Sequence, residues 1–352
     1  MGSLKQKISE KWSQLHKLDT LRLEVTEKCN LKCVHCYLGH RNQENTYDHI
    51  QLEFDKLIKV VKEAKELGAY KVVITGGEPF LYPDFIKLCR KIKELNFMLV
   101  IYTNGTLIDD QNAKALSEIG VNMVLVSNYG TETTYFENTT KVSGSHQSFK
   151  NGIKYLKKWD VNYKLQTVLL STNEENRDKL WEVCKPRVDF RIFVGKNGSF
   201  HPKKYRASDE AIKDVMKYNY QYSLDQKEDK NNFIKDHDLS QPVCNMGRAK
   251  LIVETNGEVK ACTNSKAVGN IKHESLTDIW NGDKLEQVQQ KIAWENYNSC
   301  QSCSLKKYRY NICPVMNYLE TGDMTVPPEE QCRLCRLRKE VITEIRGEKV
   351  GI

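Results

Sequence analysis

The sequence predicts an α/β protein in two unequal parts: a curved parallel sheet built from repeated strand–helix units, then a small cysteine-rich domain. Three observations carry this expectation. Short apolar runs alternate with amphipathic helical stripes six times between residues 21 and 194, a pattern that calls for parallel strands joined by right-handed crossovers. Loops rich in chemistry-bearing residues follow the strand-like runs directly, at the end where α/β barrels build their sites. Cysteines, twelve in 352 residues, crowd into one short loop at 29–36 and into the chain from Cys244 onward. The expected architecture is therefore a partial (β/α)6 TIM-like barrel with a C-terminal appendage.

Residues 21–26 (LRLEVT) alternate apolar and polar side chains, as a strand with one buried face does. Leu57, Ile58, Val61, Ala64 and Leu67 form a helical stripe that stops at Gly68. Residues 71–75 (KVVIT) read as a short buried strand ending in a glycine pair, and Pro83 opens the next helix, over 83–95. Further strands are expected at 98–103, 123–127, 164–170 and 190–194, with helices at 110–119, 147–159 and 174–184. A helix over 209–220 and a polar run through residue 239 form the expected bridge. The predicted domains are a core at 18–204, a bridging segment at 205–240 and a cysteine-rich domain at 241–340. The last of these has few long apolar runs, so bound metal is expected to hold it together. The basic tail over 336–349 reads as a solvated helix.

Bulk composition narrows the class. With 39 % apolar and 28 % charged residues the chain has the make-up of a globular protein. No run of eighteen apolar residues and no N-terminal signal segment is present, so a soluble, cytoplasmic protein without a membrane partner is expected. The net charge of +8 is spread along the chain and reads as a solvated surface; no nucleic-acid-binding signature accompanies it. A reducing cytosol disfavours disulfides, so clustered cysteines point to metal or iron–sulfur ligation. Cys89 and Cys184 stand apart within apolar helical patterns and read as core residues.

Cys29-Asn-Leu-Lys-Cys33-Val-His-Cys36-Tyr37 places three thiols in one loop. Three thiolates hold three irons of a [4Fe–4S] cube and leave the fourth open. Structural zinc instead takes four closed ligands, and His35 is poorly placed to be the fourth. Gly76-Gly77-Glu78-Pro79 follows the next strand; paired glycines let backbone approach a ligand, and the carboxylate can accept from an ammonium group.

Together these motifs resemble the radical S-adenosylmethionine (SAM) superfamily, with His35 at the signature's aromatic position. The resemblance spans about residues 21–337. It implies that Cys29, Cys33 and Cys36 hold a SAM-cleaving cluster, and that Tyr37, Gly76, Gly77, Glu78, Pro79, Thr103, Asn104 and Ser127 surround SAM. Residues 126–130 and 142–149 are similar to the peptide-modifying branch, although Tyr129-Gly130 stands where many members have Asp-Gly. The later cysteines resemble the SPASM domain, which binds two auxiliary [4Fe–4S] clusters, for three in all. Cys300, Cys303, Cys332 and Cys335 would close one site, and Cys244, Cys262 and Cys313 would hold the other, with an iron open to substrate or to a non-cysteine ligand. The family pattern has a cysteine where this chain has Arg309; the terminal Cys332-Arg-Leu-Cys335 pair compensates. A pair of structural zinc sites is the rival reading of these cysteines.

The implied reaction is reductive cleavage of SAM to a 5′-deoxyadenosyl radical that takes hydrogen from a substrate, with a flavodoxin- or ferredoxin-type reductant. A ribosomally made peptide crosslinked through a thioether or carbon–carbon bond is the leading substrate. Thr263 stands where sulfatase maturases carry an aspartate base, and no spare cysteine adjoins the clusters as a peptide epimerase requires. Only about twenty residues precede the first strand, no room for the N-terminal leader-binding domain of many peptide maturases; this counts against a peptide substrate unless a separate leader-peptide-binding partner supplies that function. Dehydrogenation or epimerisation of a small molecule is the alternative, and a non-catalytic electron-transfer or metal-scaffold protein is the alternative of another class.

Overall fold

Strands β1 (Thr20–Glu24), β2 (Lys71–Thr75), β3 (Met98–Thr103), β4 (Met123–Ser127), β5 (Tyr163–Val168) and β6 (Val188–Asp189) lie side by side in sequence order, every pair parallel. The computed structural model describes residues 15–38, 51–192, 202–226, 242–309 and 312–347. Helices α1 (Phe54–Glu66), α2 (Phe85–Glu94), α3 (Asp110–Ile119), α4 (Thr133–Thr140), α5 (Ser145–Lys158) and α6 (Arg177–Cys184) fill the crossovers. Leu21 and Leu23 of β1 pack into the apolar layer with Leu57 and Val61 of α1, while Arg22 and Glu24 occupy the opposite face. That alternation follows from the period of two along a strand.

The six-unit parallel architecture agrees with the sequence expectation, with local differences. The sixth strand is Val188–Asp189 rather than 190–194; residues 193 and 194 lie outside the described residues. Its polar neighbours offer little alternation to read. Helix α4 was not expected, because Thr133–Thr140 includes four threonines, which favour turns and strands over helices. The helix expected at 174–184 begins with a 3-10 turn, Glu174–Asn176.

Helix α7 (Asp209–Asp225), capped by Ser208, extends the expected 209–220 segment. The polar run after it lies mostly outside the described residues. The C-terminal region contains β7 (Lys250–Val253), β8 (Glu258–Lys260) and β9 (Ala267–Asn270), then α8 (Leu276–Trp280), α9 (Asp283–Lys291), α10 (Asn298–Gln301), α11 (Pro314–Thr321) and α12 (Glu329–Arg346). β7 pairs parallel with the free side of β1, Thr20 opposite Lys250, and β8 and β9 extend it antiparallel. The nine strands form one sheet, which the sequence did not foretell.

Helix α12 corrects the expectation of a solvated tail. It begins at Glu329, carries Cys332 and Cys335, and buries Leu334, Leu337 and Val341 in a cluster with Leu180 and Trp181 of α6 and Ala211, Ile212 and Val215 of α7. Arg206 ion-pairs with Glu320 of α11 at 2.9 Å and with Glu330 of α12 at 3.5 Å, all three nearly buried.

Gly152 of α5 packs against the loop after β3: a Cβ added there would collide with the Gly105 carbonyl oxygen. Glycine to alanine in a helix interior ordinarily stabilises by roughly 0.5–1 kcal/mol. Gly152→Ala should instead destabilise by about 1–3 kcal/mol through overpacking. A lower urea midpoint at unchanged slope is the expected reading.

Candidate functional site

The loops after β1, β2 and β3 meet at one end of the sheet, and one carboxylate joins the second of them to the third. Glu78 is fully buried. Its Oε1 accepts from the Thr103 hydroxyl at 2.7 Å and the Phe80 N–H at 3.3 Å, and its Oε2 accepts from the Asn104 N–H at 2.8 Å. The sequence offered this carboxylate to a ligand's ammonium group; in the fold, both oxygens already serve internal donors. Backbone bonds lock the same region to the cysteine loop, Gly77 N–H to Thr26 at 2.6 Å and Glu78 N–H to Lys28 at 2.8 Å. Gly76 has φ +146°, and a Cβ there would strike the Thr26 carbonyl, so only glycine permits this approach.

The cysteine loop is clamped on its other side. Lys32 and Val34 donate backbone hydrogen bonds to Thr140 (2.9 Å) and Thr139 (3.0 Å) at the end of α4. Leu31 and Val34 are buried, and all three cysteines are partly exposed. Asn104 Nδ2 donates to Asn30 Oδ1 at 2.9 Å and lies 3.8 Å from Cys29 Sγ, within reach of a weak N–H···S bond. His35 rests edge-on against Tyr129, ring centroids 5.1 Å apart. Burial pushes its imidazole down to about 4, so the ring is neutral near pH 7.

A cavity of about 460 Å³ opens along the ends of β4, β5 and β6, lined by Ser127, Tyr129, Gln166, Arg187 and Asp189 among others. Ser127 was the residue sequence reasoning placed here. The sequence did not single out Tyr129, Gln166 and Asp189 for this cavity; Tyr129 and Asp189 sit at or just past a strand end, the one signal that pointed to them, whereas Gln166 lies within β5. Gly76 to Pro79, Thr103 and Asn104 lie further along the same edge, toward the cysteine loop. Tyr37 turns toward the barrel interior instead, its hydroxyl donating to Glu24 Oε1 at 2.9 Å.

That bond begins a polar chain across the barrel. Glu24 lies 3.8 Å from Arg22 Nη2, and Arg22 Nη1 donates to the Thr263 hydroxyl at 3.2 Å. Tyr37 directly follows Cys36 and Thr263 directly follows Cys262. The two cysteine-bearing loops are thus joined through side chains of β1.

The C-terminal cysteines fall into two groups. Cys300, Cys303, Cys332 and Cys335 line one cavity with Arg309, Ile312 and Gln331. Cys244, Cys262 and Cys313 form the other, close enough to influence one another electrostatically. Burial pushes the Cys244 thiol up to about 12 and the Cys300 thiol up to about 11. Thiols so placed ionise readily only when a bound cation supplies compensating charge, which is the chemistry iron provides. Gln331 ties the groups together: it accepts the Cys313 N–H at 3.4 Å and donates to the Cys313 carbonyl at 3.1 Å, one residue before Cys332. Cys89 and Cys184, by contrast, lie singly in the apolar core at 0 % and 1 % exposure.

Glu78→Gln should destabilise the protein by about 1–3 kcal/mol, because an amide cannot accept from Thr103 and Asn104 together. Asp84→Asn, at a half-exposed carboxylate, should stay within about 0.5 kcal/mol. Thermal unfolding of both variants checks the contrast.

Known proteins are similar to this chain. The radical SAM superfamily model matches residues 23–185, and the model of the SPASM iron–sulfur cluster-binding domain matches residues 244–304. A tungsten-containing aldehyde ferredoxin oxidoreductase cofactor-modifying protein of Pyrococcus furiosus is 24 % identical over 323 residues, covering 81 % of this chain and 87 % of that protein. A GTP 3′,8-cyclase of Clostridium botulinum is 26 % identical over 273 residues, 73 % of this chain and 85 % of its own. The solved structure of anSMEcpe with bound AdoMet and Cp18Cys peptide superposes with a TM-score of 0.66 at 18 % identity, over 94 % of this chain and 97 % of that one. Streptococcus suis SuiB bound to precursor peptide SuiA gives a TM-score of 0.68 at 18 % identity, over 93 % and 80 %. At such identities the structures establish the fold, a mostly parallel α/β sheet with the C-terminal domain attached. Among the described residues no helix is long and apolar enough to cross a membrane. By its matched segments, its sheet and its cysteine loops, the chain belongs to the radical SAM superfamily, among the members that carry a SPASM domain.

Proposed function

We propose that this chain cleaves SAM reductively and uses the resulting radical on a ribosomally made peptide, forming a thioether or carbon–carbon crosslink. When bound, a [4Fe–4S] cluster with SAM would supply the radical chemistry that begins with hydrogen abstraction from the substrate. The observation that carries the reading is the convergence, at one edge of the sheet, of the Cys29, Cys33 and Cys36 loop, the Gly76–Pro79 turn and the cavity at β4–β6.

Each group at that edge has a part. Cys29, Cys33 and Cys36 would hold the SAM-binding cluster, leaving one iron free for SAM. Glu78 fixes Thr103 and Asn104 in place, and Asn104 Nδ2 offers a hydrogen bond to the Cys29 sulfur. Ser127, Tyr129, Gln166 and Asp189 give the cavity polar contacts for a nucleoside-sized ligand. Cys300, Cys303, Cys332 and Cys335 would hold one auxiliary cluster, and Cys244, Cys262 and Cys313 the other, completed by a ligand other than cysteine.

Two features favour crosslinking among peptide reactions. Thr263 is bonded to Arg22 and has no carboxylate to act as a base. Cys89 and Cys184, sealed in the core, are poorly placed to return a hydrogen atom as an epimerase requires. The GTP 3′,8-cyclases among the relatives favour a second reading, in which the substrate is a small molecule.

Anaerobic reconstitution tests the cofactor assignment. The parent chain should bind about twelve irons and the Cys29/Cys33/Cys36→Ala variant about eight. With dithionite, the parent should convert SAM to 5′-deoxyadenosine and the variant should not. A parent with full iron content that never cleaves SAM would refute the enzyme reading. About four irons falling to none would remove the auxiliary clusters from it.

A further inference from the structure

Arg309 occupies the place where the family pattern has a cysteine, and its surroundings are unusual for an arginine. It is half-buried, and its guanidinium lies over the Trp294 ring, 3.5 Å from the centroid. Nε donates to the Lys306 carbonyl at 2.6 Å, and the Arg309 carbonyl accepts from Arg338 Nη1 at 3.1 Å. Nη1 is buried and has no hydrogen-bond partner. Among the described residues Arg309 forms no ion pair. The ionisable groups that act on it are Cys300, Cys335 and Cys303, and it lines the same cavity as these and Cys332.

A half-buried cation whose Nη1 is buried and unused, with no carboxylate beside it, is costly unless an anion faces it. Stacking on Trp294 offsets part of that cost but satisfies no N–H. The anion available is the cysteine group itself: four thiolates around a [4Fe–4S] core leave a net negative charge. We infer that Arg309, standing in for the missing cysteine, is the charge partner of the cluster held by Cys300, Cys303, Cys332 and Cys335, donating Nη1–H toward its sulfur and raising its reduction potential. The direction follows from charge. Reduction adds an electron to an already negative cluster, and a nearby guanidinium stabilises the reduced form more than the oxidised one. The chain thus gives up a ligand at position 309 and keeps a cationic side chain there as a positioning and tuning group.

The inference rests on the auxiliary-cluster reading above, and its test separates the two. Arg309→Gln and Arg309→Lys are reconstituted beside the parent, iron is counted, and cluster midpoints are measured by EPR-monitored redox titration. Cys300/Cys303→Ala identifies which signal belongs to this site. The expected result is unchanged iron in both Arg309 variants, with that one midpoint shifted down in Gln and lying between Gln and parent in Lys. Unchanged midpoints at full iron content would overturn the role. So would a loss of about four irons in Gln and Lys alike, which would make Arg309 a packing group only. If Cys300/Cys303→Ala loses no iron, the cluster assignment itself fails and the inference falls with it.

Discussion

Strand β1 hydrogen-bonds on both sides at once, to β2 of the barrel and to β7 of the C-terminal region, and the rest of the molecule is arranged around that double pairing. Its outward leucines anchor the helical layer, its inward Arg22 and Glu24 carry the polar chain across the barrel, and its C-terminal end delivers the cysteine loop. A buried parallel strand has no tolerance for a slipped register, because a shift of one residue would exchange Leu21 and Leu23 for Arg22 and Glu24. The pairing therefore fixes where Cys29 stands relative to Cys262.

The functional edge is held by polar groups that the fold can bury only when each is satisfied. Glu78 illustrates the constraint. A fully buried carboxylate is expensive unless donors surround it, and the donors it recruits are the strand-end residues that line the site. Stability and site geometry are therefore the same interaction at this point. Gly76 and Gly152 are the steric counterpart, each present because a neighbouring carbonyl leaves no room for a Cβ.

The C-terminal region solves a different problem. Its cysteine cavity and the small apolar cluster of Trp294, Tyr297, Cys300 and Ile312 enclose little apolar volume. Regions of that size lean on metal or on a larger neighbour. Here β7 joins the barrel sheet and α12 packs on α6 and α7, so the neighbour is the barrel core itself. Side-chain bonds such as Arg22 to Thr263 then cross a junction that β1 and β7 already pair.

Local pattern made the six strand–helix units legible, since apolar spacing of two or near 3.6 reports which face of an element is buried. It also exposed the CxxxCxxC loop, the Gly-Gly-Glu-Pro turn and the crowding of cysteines after Cys244, because each is a short-range spacing. It failed where the deciding partner was distant in sequence. Nothing in Lys250–Val253 announces that it will pair with β1, and nothing near Glu78 announces that Thr103 and Asn104 will fill its oxygens. Helix α12 read as a solvated tail because its apolar stripe has meaning only against α6 and α7. The sequence by itself determined the repeating architecture and the kinds of ligand the chain carries. Tertiary structure alone decided which of those groups meet, because satisfying a buried polar group is a property of packed neighbours and not of the residue that carries it.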